Sequence, residues 1–170
     1  GYVNGIKQIH DGKYGNLICL QAYWNGRTPW WRAPKDDWTD MMNQVNNWYH
    51  FNWLSGDNIC EQHVHNLDVC NWAKDAHPVE ANGMGGSEIR RRTFPETRIF
   101  DHHFVEFTYP DGTKMYSQCR HIKGCMNRVS EAFQGTTGAA PQPGVITDLG
   151  GNNVWRHRDK DDPNPYQVEH

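Results

Sequence analysis

The stretch from Asp57 to Trp72, Asp-Asn-Ile-Cys-Glu-Gln-His-Val-His-Asn-Leu-Asp-Val-Cys-Asn-Trp, constrains this chain more than any other. Its spacing predicts a helix that Ser55-Gly56-Asp57 opens and caps and that ends near Ala73-Lys74. At about 100° per residue, positions four and seven apart share a face. Glu61, His65 and Asp68 then form one polar stripe, a carboxylate on each side of an imidazole. Val64, Leu67 and Cys60 fall on a neighbouring apolar stripe suited to a core. His63 points about 160° away from His65, so the His-x-His pair does not converge. Such a polar stripe is either the wall of an active site or a wetted face, and spacing alone leaves both readings open.

The 170 residues suit one domain, large enough to bury a core. A mean hydropathy of -0.89 is polar for a self-sufficient globule, and eight Trp and seven Tyr offset it because each buries a large area when packed. The net charge of -3, with seventeen Lys and Arg spread along the chain, gives no basic block to attract nucleic acid or a membrane surface. No apolar run approaches the roughly 20 residues needed to span a bilayer. Cys19, Cys60, Cys70, Cys119 and Cys125 follow no disulfide framework or zinc spacing, so reduced thiols are expected. Without an initiator Met or a stop signal, the sequence reads as a piece of something longer.

Taken in order, Ile6 and Ile9 mark the tail of a helix over residues 4–10, closed by Asp11-Gly12. Residues 16–24 read as a strand. Residues 25–37 form an irregular loop whose Trp30, Trp31 and Arg32 either fold over a ligand or neighbouring subunit or plug the domain's own core. Thr39 or Asp40 caps a short helix through Asn46, and residues 48–54 are an aromatic cluster placed in the core beneath the long helix. Strands follow over 79–84, 102–108, 113–122, 128–134 and 144–148, with Tyr109-Pro110-Asp111-Gly112 as a hairpin turn and a last extended stretch over 154–157. Arg90-Arg91-Arg92 is expected in an exposed, mobile loop, and the polar, Pro-containing residues 159–165 in a loop. The pattern specifies an α+β domain over residues 1–170: an open, mostly antiparallel sheet with helices on one face.

Three chemistries compete. Gly83-Met84-Gly85-Gly86 has the wrong spacing for a dinucleotide cradle, and there is no P-loop. Glu61 and His65, with His102, His103 or His121 as a third ligand, could chelate a metal and serve an isomerase or hydrolase. Acid/base chemistry by His65 is the third: near neutral pH an imidazole both takes and returns a proton, and a carboxylate one turn away fixes its tautomer.

Four stretches carry a resemblance: Arg-Thr-Pro-Trp-Trp-Arg at 27–32, Asn-Trp-x5-Leu-Ser-Gly-Asp at 47–57, Glu-Gln-His-Val-His-Asn-Leu-Asp at 61–68 and Phe-Asp-His-His-Phe-Val-Glu-Phe-Thr-Tyr-Pro-Asp-Gly at 100–112. With Asp11-Gly12-x-x-Gly15 before a strand, they resemble the C-terminal, catalytic domain of the Gfo/Idh/MocA oxidoreductases over most of residues 1–157. The resemblance implies a two-domain enzyme that oxidises or reduces sugars, inositols or related polyols. NAD or NADP would be bound mainly by an N-terminal Rossmann domain absent from this chain, and a homo-oligomer would form through the sheet. The family's Asp-x3-His pair maps onto Glu61 and His65, which makes His65 the general acid/base and Glu61, a Glu in place of the usual Asp, its orienting partner. Trp31, Arg32, His103, His121 and Asp68 are the candidates for lining the substrate pocket; no resident metal is expected. A non-catalytic sugar-binding or dimerisation module is the remaining alternative. The expected compartment is the cytoplasm, with the periplasm as the alternative, since many look-alikes carry a twin-arginine export signal upstream.

Overall fold

The first strand of the chain ends up in the middle of its sheet. In the computed structural model, which describes residues 1–157, β1 (Leu17–Gly26) lies between β4 (Lys114–His121) and β5 (Arg128–Gly135). The loop expected over 159–165 lies outside the described residues. On one side of β1, β4 continues to β3 (His102–Thr108) and the edge strand β2 (Glu80–Gly86). On the other, β5 leads to β6 (Gly138–Gln142), β7 (Val145–Asp148) and β8 (Asn153–Arg156). Every pair in this eight-stranded sheet is antiparallel except β1 with β4, which run parallel in register from Cys19↔Lys114 to Gly26↔His121. The fold is therefore the expected open, mostly antiparallel α+β sheet. Hairpin patterning alone could not show that β1 would return to lie beside a strand so distant in sequence, because parallel partners need a long crossover.

That crossover holds most of the helices. After α1 (Tyr2–His10) and β1 come α2 (Asp40–Asn46), α3 (Asn52–Ser55) and α4 (Val64–Lys74), the last entered through a π-helical turn over Ile59–His63. The Thr39 hydroxyl caps α2 by accepting from the Met42 amide at 3.2 Å. Helices α1 and α4 cover one sheet face. Ile6 and Ile9 of α1 and Cys70 and Ala73 of α4 pack there on Leu20, Ala22, Met115, Phe133 and Ile146. The opposite face carries Gln21, Tyr23, Tyr116, Gln118 and Arg120 and stays partly exposed. No helix among the described residues is long and apolar enough to cross a membrane. All five cysteines are free.

Two local expectations change. The Arg90-Arg91-Arg92 segment is not a loose loop but part of the short helix α5 (Ile89–Thr93), and Arg90 is 2% exposed. The Asp101 carboxylate draws it inward by accepting from the Ile89 and Arg90 amides at 2.8 and 3.1 Å. Strand β6, Gly-Ala-Ala-Pro-Gln, has no hydrophobic alternation to announce it, and it is held by close approach. A Cβ on Gly138 would come within 2.3 Å of the Thr147 carbonyl oxygen.

Gly135 joins the core to the sheet in the same way: a Cβ there would sit 2.2 Å from both the Tyr14 ring and the Tyr14 carbonyl oxygen. Because backbone cannot swing aside as a side-chain tip can, Gly135→Ala is expected to cost about 2 kcal/mol or more. Urea denaturation followed by tryptophan fluorescence measures this, and an unchanged midpoint would contradict the packing described here.

Candidate active site

The helix that the sequence marks out does form, but its π turn changes which residues face where. A turn closed by i→i+5 hydrogen bonds holds one residue more than an α turn, so a wheel drawn at about 100° per residue loses register across it. Glu61 lies inside the π turn and His65 beyond it. Glu61 is partly buried, His65 is exposed, and no hydrogen bond or ion pair joins them. Val64 and Cys60, assigned to the core-facing stripe, are exposed; Leu67 alone of that stripe packs against the core. The face of the helix turned to the sheet is His63, Asn66, Cys70 and Ala73.

His63 is the residue that seats the helix. It is fully buried against the sheet, where its Nε2 lies 2.7 Å from the Ser117 hydroxyl of β4. Its Nδ1 lies 3.3 Å from Asn66 Oδ1, while Asn66 Nδ2 donates to Glu131 Oε1 of β5 at 2.5 Å. The Tyr2 hydroxyl donates to the other Glu131 oxygen at 3.0 Å. Since the Asn66 amide nitrogen is engaged by Glu131, its carbonyl oxygen must accept from His63 Nδ1–H, and Nε2 then accepts from Ser117. The polar chain Tyr2–Glu131–Asn66–His63–Ser117 thus fixes one neutral tautomer and ties α1, α4, β4 and β5 together. The outward face of α4 that results carries Val64, His65, Asp68 and Trp72, with the His65 ring 6.4 Å from that of Trp24.

A second polar cluster sits over the carboxyl ends of the parallel pair β1 and β4. Tyr49, His121 and Cys119 are buried there, with His103 and Asp57 partly so. Burial, and then the nearby Glu61 carboxylate, push the Tyr49 phenol up. His103 Nε2 stands 3.5 Å from Asp57 Oδ1, and its ring stacks on Phe100 at 5.2 Å. The Asp57 carboxylate also accepts from the Asn58 and Phe100 amides, which together with His103 hold its pKa below the usual carboxylate value against the opposing effect of burial. Asp57 so closes the entry to the helix by pinning the segment before β3.

The other pocket candidates fall into two groups. His121 and His103 belong to this cluster, and the Thr28 hydroxyl donates to the His121 carbonyl at 2.9 Å. Trp31 and Arg32 belong to the neighbouring aromatic wall. The Trp31 ring stacks on Phe94 at 5.1 Å and meets His50 edge-on at 5.0 Å. Arg32 is tied to the end of α2 through Asn46 and Asn47. Trp30 packs on Trp48 and Tyr49, so the irregular loop does line this chain's own aromatic cluster. Within residues 48–54 only Tyr49, His50 and Phe51 are buried; Trp53 is 58% exposed. Asp68 lies apart from these, on the exposed face of α4 with His65. Among the described residues no three His, Cys, Asp or Glu side chains converge as metal ligands would. Sequence reasoning did not single out Tyr49, Arg90 or the His63 chain as polar machinery. Aromatic and arginine clusters signal core and surface respectively, and a π turn leaves no mark in the residue pattern.

Burial holds three histidines neutral: it lowers the His50 and His63 pKa to about 4 and that of His121 to about 3, from an ordinary 6.5. Each folded-state value lies below the unfolded one, so the stability they permit is fully present above pH 6.5. It falls as pH drops from 6.5 towards 4, where the unfolded chain takes up protons that the folded chain refuses. With three such groups the slope approaches about 4 kcal/mol per pH unit. Denaturation midpoints measured between pH 7.5 and 4.5 are expected to be flat above 6.5 and to fall steeply below it.

No protein-family model matches the chain, and no curated protein sequence matches it. Solved structures do. The aldose-aldose oxidoreductase from Caulobacter crescentus superposes with a TM-score of 0.70 at 15% identity, over 99% of this chain and 47% of that one. The myo-inositol 2-dehydrogenase from Lactobacillus plantarum gives 0.60 at 18%, over 81% of this chain and 37% of that one. A super-repressor mutant of Gal80p from Saccharomyces cerevisiae gives 0.70 at 13%, over 95% and 44%. The chain therefore has the fold of the C-terminal-like domain of Gfo/Idh/MocA-type oxidoreductases, and it spans less than half the length of these similar structures.

Proposed function

We propose that this chain is the substrate-binding and catalytic part of an NAD(P)-dependent oxidoreductase acting on a sugar, inositol or related polyol. The observation that carries the reading is the outward presentation of His65. The buried chain from Glu131 to Ser117 consumes the inward face of the helix and leaves His65 exposed beside Trp24, where a substrate hydroxyl can reach an imidazole whose free nitrogens accept or return a proton. Two of the three similar structures described above are named as oxidoreductases of aldoses or inositol, which agrees with this chemistry.

In this reading Glu61 acts beside Tyr49, as part of the pocket wall, and the imidazole of His65 is positioned mainly by the rigid seating of its helix. Asp68 shares its exposed face. His103 and His121 with Trp31 and Arg32 line the adjoining cluster. The nicotinamide cofactor would be held mainly by another domain of the enzyme. Glycines 83, 85 and 86 lie in the edge strand β2, where Cβ atoms on the first two would meet backbone oxygens of β3, and no long helix follows to receive a pyrophosphate. A further part of the enzyme would supply that site, and Val64 and Trp72, 42% and 43% exposed on the His65 face, are suited to contact it. The partly exposed sheet face with Tyr23 and Tyr116 would serve a homo-oligomer.

The Gal80p superposition supports a second reading, a non-catalytic binding module on the same fold. Kinetics of the intact protein separate the two. His65→Ala is expected to lower turnover at least about 100-fold, the usual contribution of a general acid/base. Because His65 is exposed, its thermal midpoint should stay close to that of the parent. Turnover within a few-fold of the parent would end the assignment, and absence of any nicotinamide-dependent turnover in the parent would favour the binding module.

A further inference from the structure

Asp101 fixes the backbone of Arg90, but no hydrogen-bond partner among the described residues meets its guanidinium. Its residue is 2% exposed, yet Nε, Nη1 and Nη2 all lack a hydrogen-bond partner. A guanidinium does not shed its proton at accessible pH, so this is a buried cation with its donors unmet, which folds rarely tolerate. The two carboxylates nearest to it in electrostatic terms are committed elsewhere. Asp101 accepts from the Ile89 and Arg90 amides and from His102 at 2.6 Å; Asp57 accepts from the Asn58 and Phe100 amides. Near it, the Tyr49 hydroxyl and His121 Nδ1 are also buried and unpartnered, as is Glu61 Oε2 beside Tyr49.

Arg90 also lines a cavity of about 350 Å³ between the 27–29 segment, α5 and Lys123. Its polar lining is Arg27, Lys123, Arg90, Thr28 and Thr93, and it contains no carboxylate. Arg27 and Lys123 are exposed at its rim, while Pro29, Ile89 and Phe94 give it apolar walls. The lining carries three cations and no acid, and one of the three is a buried guanidinium with its donors unmet, so a small oxyanion is the ligand whose charge suits it. A neutral polyol would leave the charge unpaired, and a metal ion would be repelled.

We infer that the cavity lined by Arg27, Arg90 and Lys123 is a binding site for an oxyanion, the phosphate or carboxylate of a small acidic ligand. This stands on the cavity alone, so its failure would leave the oxidoreductase reading untouched. The test is calorimetric titration of the intact protein with inorganic phosphate, with glucuronate and with neutral glucose, at constant ionic strength set by chloride. At least one of the two anions is expected to bind, glucose not to bind at this site, and Arg90→Met to weaken the anion at least tenfold. Replacing Arg27 and Lys123 together by Ser should weaken it several-fold. Phosphate alone would assign the ligand as a phosphate, glucuronate alone as a carboxylate, and both as any small oxyanion. Thermal unfolding gives a second readout: with the unpaired cation gone, Arg90→Met should melt no lower than the parent in the absence of anion. The inference is overturned if neither anion binds, or if binding survives in both variants. Should Arg90→Met not fold, the surface pair decides by itself, and unchanged affinity there would overturn it.

Discussion

The hydrogen bond between His63 and Ser117 is the contact on which the rest of the arrangement depends. It joins the entry to α4 to the strand lying parallel with β1, and Asn66 and Glu131 extend it across to β5. A polar chain of this kind, buried and with its donors and acceptors matched, specifies one register where apolar packing alone would permit several. Slipping the helix by one residue would bury a donor without an acceptor. The exposed position of His65 is therefore not a default of the surface but the other side of this seating.

Much of the architecture was legible because it is periodic. Ile6 with Ile9, the alternation of His103, Val105 and Phe107, and the Tyr109–Gly112 turn each carry their own local signal, and each appears where expected. The open sheet with helices on one face follows from that order of elements. What was not legible is of two kinds. The π turn at 59–63 is set by contacts with the sheet, and a uniform wheel therefore gave Val64 and Cys60 a burial they do not have. Arg90 looked like surface because it lies in a run of three arginines; only the Asp101 carboxylate, eleven residues on, turns that run into a helix and draws its first member inside.

The site itself divides along the same line. Spacing and resemblance put His65 and Glu61 forward as candidates, and the irregular loop with its tryptophans was marked for either a ligand or the domain's own core. Their actual neighbours were not legible: Glu61 acts electrostatically on Tyr49 and makes no bond to His65, and Trp31 meets Phe94 and His50. Tertiary proximity of this sort has no sequence period to betray it.

The central place of β1 also governs how the chain must assemble. Cys19 finds its partner Lys114 only after the helices and two further strands have been made, and Phe133 must arrive on the other side to complete Leu20's surroundings. Loop closure over such a span is entropically costly before any contact rewards it, so this pairing is expected to form more slowly than the hairpins on either flank. Until it occurs, an apolar strand with two unpaired edges waits early in the chain.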